Sequence, residues 1–408
     1  MNRTACLIAV ALALVACDKQ KKPSAPDRPD AELAADAVEE PAEQATPRAP
    51  SLSSNPIRRF ADVHTHLNPF AYPLFVRIMD ELGIYRIVNL SGGADPEVRR
   101  ENLARADRFQ GRIALFYNVD WSKVNEPNFA QKEAAGLREA VERGFAGLKI
   151  SKALGLAVRD AKDKLIAVDD PRLDPLWQAA GDLGVPVSIH TGDPRAFFEK
   201  PGPTNERNDE LSLAPGWSFH GDQFPSREEL LAQRDRMIAK HPDTTFILVH
   251  FAGNPEDVEY VDQLLGKYPN VYLDIAARIG EFGRHDAATM RDFFTRHADR
   301  ILFATDFMLG VFPAEKGEKP SYQLTLGSIS QQPPTIDDIA PFYRQHWAYF
   351  EREGEPIPHP IPIQGKWGVH PVDLPEEVLA KIYWRNAERL VFAPWLARRA
   401  AQDVIAVD

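Results

Sequence analysis

The segment Asp-Val-His-Thr-His at 62–66 sets two imidazoles, His64 and His66, two residues apart. On an extended chain that spacing puts both rings on one face, where they can grip a single ion, and Asp62 shares the face. Four more residues of metal-binding type follow, Lys149, His190, His250 and Asp306, each closing a short apolar run rich in β-branched residues. Taken singly, each has an ordinary explanation. His-x-His is a packing pair, a histidine ending a strand is a satisfied hydrogen-bonding group, Asp306 caps a turn, and Lys149 is an ion-pair partner. Their conjunction points instead to metal-assisted hydrolysis or a close relative of it.

Such residues act together only if the fold brings them to one place. The sequence predicts strands at 61–66, 86–90, 113–119, 147–150, 186–190, 245–250, 271–276 and 301–305, with amphipathic helices at 96–108, 130–143, 173–183, 227–240 and 255–267. This alternation predicts an α/β chain folded as a (β/α)8 TIM barrel. His64 and His66 then end strand one, Lys149 strand four, His190 strand five, His250 strand six and Asp306 strand eight. All open into the barrel mouth, where barrel chemistry is built. Long loops after strand five (191–225) and strand eight (307–374) are expected to form lids or pocket walls. The first carries Arg195, Trp217, Phe219 and His220, and the second Tyr322, His346, Trp347 and Trp367. Arg195 and Trp217 are candidate substrate contacts. Arg278, just past strand seven, offers a planar fork for a substrate carboxylate, or else a surface salt bridge.

Composition narrows the classes. The 408 residues, 44% of them hydrophobic, can bury one large core. A formal charge of −11 with no dense basic stretch in the body argues against a nucleic-acid surface. No phosphate-cradling loop appears. Residues 1–17 read as an export signal, with an apolar run at 5–16 too short to span a bilayer. Its end, Leu14-Val15-Ala16-Cys17, resembles the bacterial lipoprotein box. That resemblance implies lipidation at Cys17 and a place on the periplasmic face of a bacterial membrane, touched through the anchor alone. In the same pattern Asp18 implies inner-membrane retention; the alternative is an ordinary signal peptide. Loss of the signal removes Cys6 and leaves one Cys, so no disulfide is expected. The expected organisation is a signal at 1–17, an Ala/Pro/acidic tether at 18–56, a barrel at 57–396 and a tail at 397–408.

Over about residues 60–392 the chain resembles the amidohydrolase superfamily, most closely the branch that also contains aminocarboxymuconate-semialdehyde decarboxylase and the dihydroxybenzoate decarboxylases. The matching stretches are DVHTH, GLKIS, VSIHTG, FILVHFAGN, NVYLDIAAR, ILFATDF and KIYWRNAERL at 381–390. The resemblance implies that His64, His66, His190 and Asp306 bind a divalent metal, and that His250 is a further ligand or a catalytic histidine. It also implies that Lys149 stands where dinuclear members carry a bridging, often carboxylated lysine. Homodimers are common in this branch.

Imidazole and carboxylate ligands suit Zn²⁺ first and Mn²⁺ second, as one ion or two. An open coordination position lowers the pKa of bound water from about 15.7 to about 7. Asp306 is then the natural general base, and His250, if not a ligand, an oxyanion donor. Structural zinc is a poorer reading, because there is no Cys cluster. Three functions stay open: a hydrolase of an amide, ester or lactone in a small organic substrate, a nonoxidative decarboxylase of an aromatic or enoic acid, and a noncatalytic ligand-binding lipoprotein.

Overall fold

The computed structural model describes residues 59–314 and 319–405. The signal, the tether and Cys17 lie outside the described residues. Eight short parallel strands run in chain order: β1 (Phe60–Leu67), β2 (Ile84–Asn89), β3 (Ile113–Asn118), β4 (Gly147–Ile150), β5 (Val187–Ile189), β6 (Phe246–Leu248), β7 (Val271–Asp274) and β8 (Ile301–Leu302). Strands β3 to β6 are buried almost throughout, so their sequences read as near-continuous apolar runs, as expected where helices cover a parallel sheet. The result is an α/β fold of TIM-barrel type.

Helices alternate with the strands and start where local chemistry favours it. Asp95 accepts hydrogen bonds from the Glu97 and Val98 amides, with Pro96 in the first turn of the helix Pro96–Asp107. Ser226 caps Arg227–Lys240 in the same way through the Glu229 amide, and Gly83, at φ 74°, ends the helix Tyr72–Leu82.

The two ends of the sheet meet through the backbone. Val63 donates to the Phe303 carbonyl at 3.1 Å, and Asp306 donates to the His64 carbonyl at 3.0 Å. Past Asp306 the chain continues as β9 (Phe307–Phe312), which pairs in parallel with β1 and turns back into antiparallel β10 (Ser321–Leu326). The stretch 307–374, expected to be one long loop, thus contains a hairpin and the helix Ile339–Glu351. Within 191–225 lie the short helix Asn208–Leu213 and two single turns, Arg195–Phe197 and Pro215–Trp217.

The closing helix Ala393–Ile405 runs across the boundary expected at 396. Buried Trp395 anchors it, donating from Nε1 to the Gly144 carbonyl at 2.7 Å. Among the described residues no helix is long and apolar enough to cross a membrane.

Candidate metal centre

The strands stop short of their predicted limits at the residues that matter most. His190, His250 and Asp306 follow β5, β6 and β8 instead of ending them. Asp306 has φ 62°, and His250, Phe251 and Ala252 have φ of 58°, 56° and 58°, a left-handed turn built from three non-glycine residues. Such residues rarely adopt this conformation, and it persists only where surrounding contacts impose it. Here the His250 amide donates to Asp274 Oδ1 at 2.8 Å, and buried Arg234 donates to the Ala252 carbonyl. Arg227 donates to the Gly253 carbonyl at 2.9 Å and the Asp193 carbonyl at 3.0 Å, joining the turns after β5 and β6. At Gly253, φ 64°, a Cβ would overlap the Thr191 carbonyl oxygen, so the two turns touch there.

These turns bring the histidines together. Ligand atoms of His64, His250 and Asp306 all lie within 4.8 Å of one another. Asp306 Oδ1 is 3.4 Å from His64 Nε2 and 3.5 Å from His66 Nε2. His190 joins through His250, with ring centroids 4.3 Å apart, and its Nε2 is 3.4 Å from Asp193 Oδ1 without hydrogen-bonding alignment. The tightest trio therefore contains His250, which the family resemblance left open as ligand or catalytic group, while His66 and His190 flank it.

Each of three rings is engaged at Nδ1: His64 with Asp274 Oδ2 at 2.8 Å, His66 with Ser91 Oγ at 2.7 Å, and His250 with the Ala276 carbonyl at 2.8 Å. A carbonyl can only accept, so His250 Nδ1 carries the proton and Nε2 the lone pair. Burial holds His64, His66 and His250 well below the ordinary histidine pKa and brings His190 down to about 4. Neutral imidazoles are the form that ligates metal. Burial also raises Asp306 to about 6, against the pull of Lys149 and Arg278, and brings Lys149 down to about 8.

The donor set fits a metal ion on a further ground. Asp306 Oδ1, His190 Nε2 and Lys149 Nζ are buried and find no hydrogen-bond partner among the described residues. Unpartnered buried polar atoms are costly, and a carboxylate oxygen and an imidazole nitrogen left without partners are acceptors that a bound cation would satisfy.

The other expected contacts divide. Arg278 is buried and not on the surface; it donates to Asp193 Oδ1 at 3.3 Å and to the Ala277 carbonyl at 2.8 Å, and its Nε is unpartnered. Trp217 lies near Lys152, whose Nζ sits 5.0 Å over the ring and 2.6 Å from Asp193 Oδ2. Arg195 is exposed and lines an outer groove with Glu199, Glu206, Glu256 and Arg284, none of them a residue of the histidine cluster. Asp62 shares its strand with the histidines, yet its carboxylate is taken up by Thr305 and Tyr343.

Sequence reasoning missed Asp274, Asp193 and Lys152. Burial alone would raise Asp193, but Lys152, His190 and Arg278 outweigh it and hold the carboxyl well below its usual range. Asp193 and Lys152 each follow a singled-out residue by three positions, and Asp274 ends the one late strand given no rung. That vacancy was the available signal.

Fold and site together define a metal-dependent enzyme of amidohydrolase type. The family profile described as Amidohydrolase matches residues 61–393, and the chain belongs to that family. Among solved structures it is similar to an uncharacterised TIM-barrel protein from Bordetella bronchiseptica, at 17% identity and a TM-score of 0.45, over 84% of this chain and 99% of that one. It is also similar to 2,6-dihydroxybenzoate decarboxylase from Rhizobium, at 18% identity and a TM-score of 0.43, over 82% and 98%. A third is an amidohydrolase from Burkholderia multivorans, at 14% identity and a TM-score of 0.41, over 81% and 98%. No curated protein matches the sequence.

Proposed function

We propose that the chain is a metal-dependent hydrolase of an amide, ester or lactone in a small organic substrate. The observation that carries this reading is the convergence of His64, His66, His250 and Asp306, with Asp306 Oδ1 facing two imidazole nitrogens and lacking a hydrogen-bond partner among the described residues. A divalent ion held by His64, His66, His190 and Asp306, zinc foremost, supplies Lewis-acid polarisation and a lowered pKa for water. Asp306, raised to about 6, takes the proton of the attacking water and returns it to the leaving group. His250 presents an Nε2 lone pair, so it acts as an acceptor, orienting a proton donor or adding a ligand, and not as the oxyanion donor expected from sequence. Lys149, buried and unpartnered, would bridge a second ion if it were carboxylated.

A nonoxidative decarboxylase is the second reading, favoured by one observation. The buried, unpartnered Arg278 Nε is a donor suited to a substrate carboxylate. A panel of lactones, acylated amines, esters and aromatic acids, followed for both hydrolysis and carbon dioxide release, separates the two. We expect hydrolysis, abolished in His190→Ala and Asp306→Asn with the fold intact by circular dichroism. Carbon dioxide release without hydrolysis would transfer the assignment to the second reading.

A further inference from the structure

Asp274 ends β7 with its carboxylate fully buried. Its two oxygens serve different masters. Oδ2 lies 2.8 Å from His64 Nδ1, while Oδ1 accepts from the His250 amide at 2.8 Å and the Ala276 amide at 3.2 Å. One side chain thus meets one site histidine through its ring and another through its backbone. We infer that Asp274 is the positioning residue of the metal centre: it keeps the His64 proton on Nδ1, turning the Nε2 lone pair toward Asp306, and it pins the left-handed turn from which His250 projects. This rests on the metal-centre reading above.

The argument about His64 is one of proton location. A neutral imidazole carries a single N–H, and only the other nitrogen can ligate. Facing a carboxylate oxygen, the proton belongs on Nδ1, because a lone pair there would oppose the lone pairs of Oδ2. Nε2, 3.4 Å from Asp306 Oδ1, is then free to bind a cation. Histidine ligands held by an outer carboxylate in this manner gain both a fixed tautomer and basicity.

The argument about His250 is one of strain. Three successive non-glycine residues at positive φ cost on the order of 1 kcal/mol each, and the turn relaxes unless its groups are held. Asp274 holds the first amide of that turn, as Arg234 holds its last non-glycine carbonyl.

Asp274→Asn separates these duties, because an amide cannot perform both. With its oxygen left on the two backbone amides, its NH₂ faces His64 Nδ1 and drives the ring proton to Nε2. Turned over, the NH₂ opposes two N–H donors. The test titrates zinc into metal-free wild type and Asp274→Asn by calorimetry. The inference expects a variant whose metal-free melting stays near wild type and whose zinc affinity falls about 10- to 100-fold. Unchanged zinc affinity in the variant overturns the inference and leaves the metal centre standing. No stoichiometric zinc in wild type overturns the metal-centre reading, and this inference with it. Should Asp274→Asn not fold, ¹⁵N spectra of metal-free wild type decide, with His64 assigned by its loss in His64→Gln. A proton on Nδ1 is expected, and a proton on Nε2 refutes the inference.

Discussion

The Tyr343 hydroxyl donates to Asp62 Oδ2 at 2.8 Å, tying the helix Ile339–Glu351 to the strand that carries His64 and His66. The same carboxylate receives the Thr305 hydroxyl at 2.5 Å and the Thr305 and His64 amides at 3.2 and 3.1 Å. Burial still raises it to about 7. Tyr343→Phe removes one donor from a wholly buried acceptor, a loss worth about 2 kcal/mol. Denaturant unfolding should show it as a lower midpoint at an unchanged slope. A double-mutant cycle with Asp62→Asn should return a coupling above about 0.5 kcal/mol, and additive effects would refute the link.

His346 gives a stability that depends on pH. Its Nδ1 donates to the Phe342 carbonyl at 2.9 Å, its ring stands 4.5 Å from that of Phe342, and burial brings its pKa from 6.5 down to about 4. Between those values the unfolded chain binds a proton that the folded chain refuses, so stability falls as pH drops from 6.5 toward 4. At about 1.4 kcal/mol per pH unit, the full loss is on the order of 3 kcal/mol. His346→Phe should flatten this part of the profile. Parallel wild-type and variant curves over pH 4 to 6.5 would refute the assignment.

Arg207 is the centre of a clasp over the barrel mouth. Its guanidinium, wholly buried, pairs with Glu210 at 2.6 Å and with Glu281, and Glu210 also receives the Ser328 hydroxyl. The clasp joins the segments that follow β5, β7 and β10. Arg207→Met strands two buried carboxylates and should cost about 3–5 kcal/mol in thermal or denaturant unfolding. Adding Glu210→Gln and Glu281→Gln should restore much of that loss. A triple variant as unstable as the single one would show that packing, not charge, sets the cost.

The barrel was legible because its strands are buried on both faces and alternate with helices whose ends carry capping residues, Asp95 before Pro96–Asp107 and Ser226 before Arg227–Lys240. Strand 147–150 and helix 227–240 coincide with their predicted limits. The strands expected at 186–190, 245–250, 271–276 and 301–305 end early, at Ile189, Leu248, Asp274 and Leu302, and beyond them His250 and Asp306 adopt positive φ, which side-chain type does not encode. The hairpin β9–β10 lies in the stretch expected to be loop, because Phe307–Phe312 is apolar at nearly every position and its alternating burial leaves no period-two trace in the sequence. Asp274 left only the vacant rung of strand seven as a trace. Its partner His64 is 210 residues away, and a lone aspartate at a strand end carries no spacing signal.

The amide of Asp306 bonds the carbonyl of His64, so the stitch that shuts the circle of strands is also a stitch between two candidate ligands from the two ends of the eight-strand run. An unfinished polypeptide, or one cut short before residue 306, owns the four candidate imidazoles and still lacks the carboxylate they face. Chemistry switches on only when the last parallel strand docks against the first, so turnover itself certifies that the ring has closed.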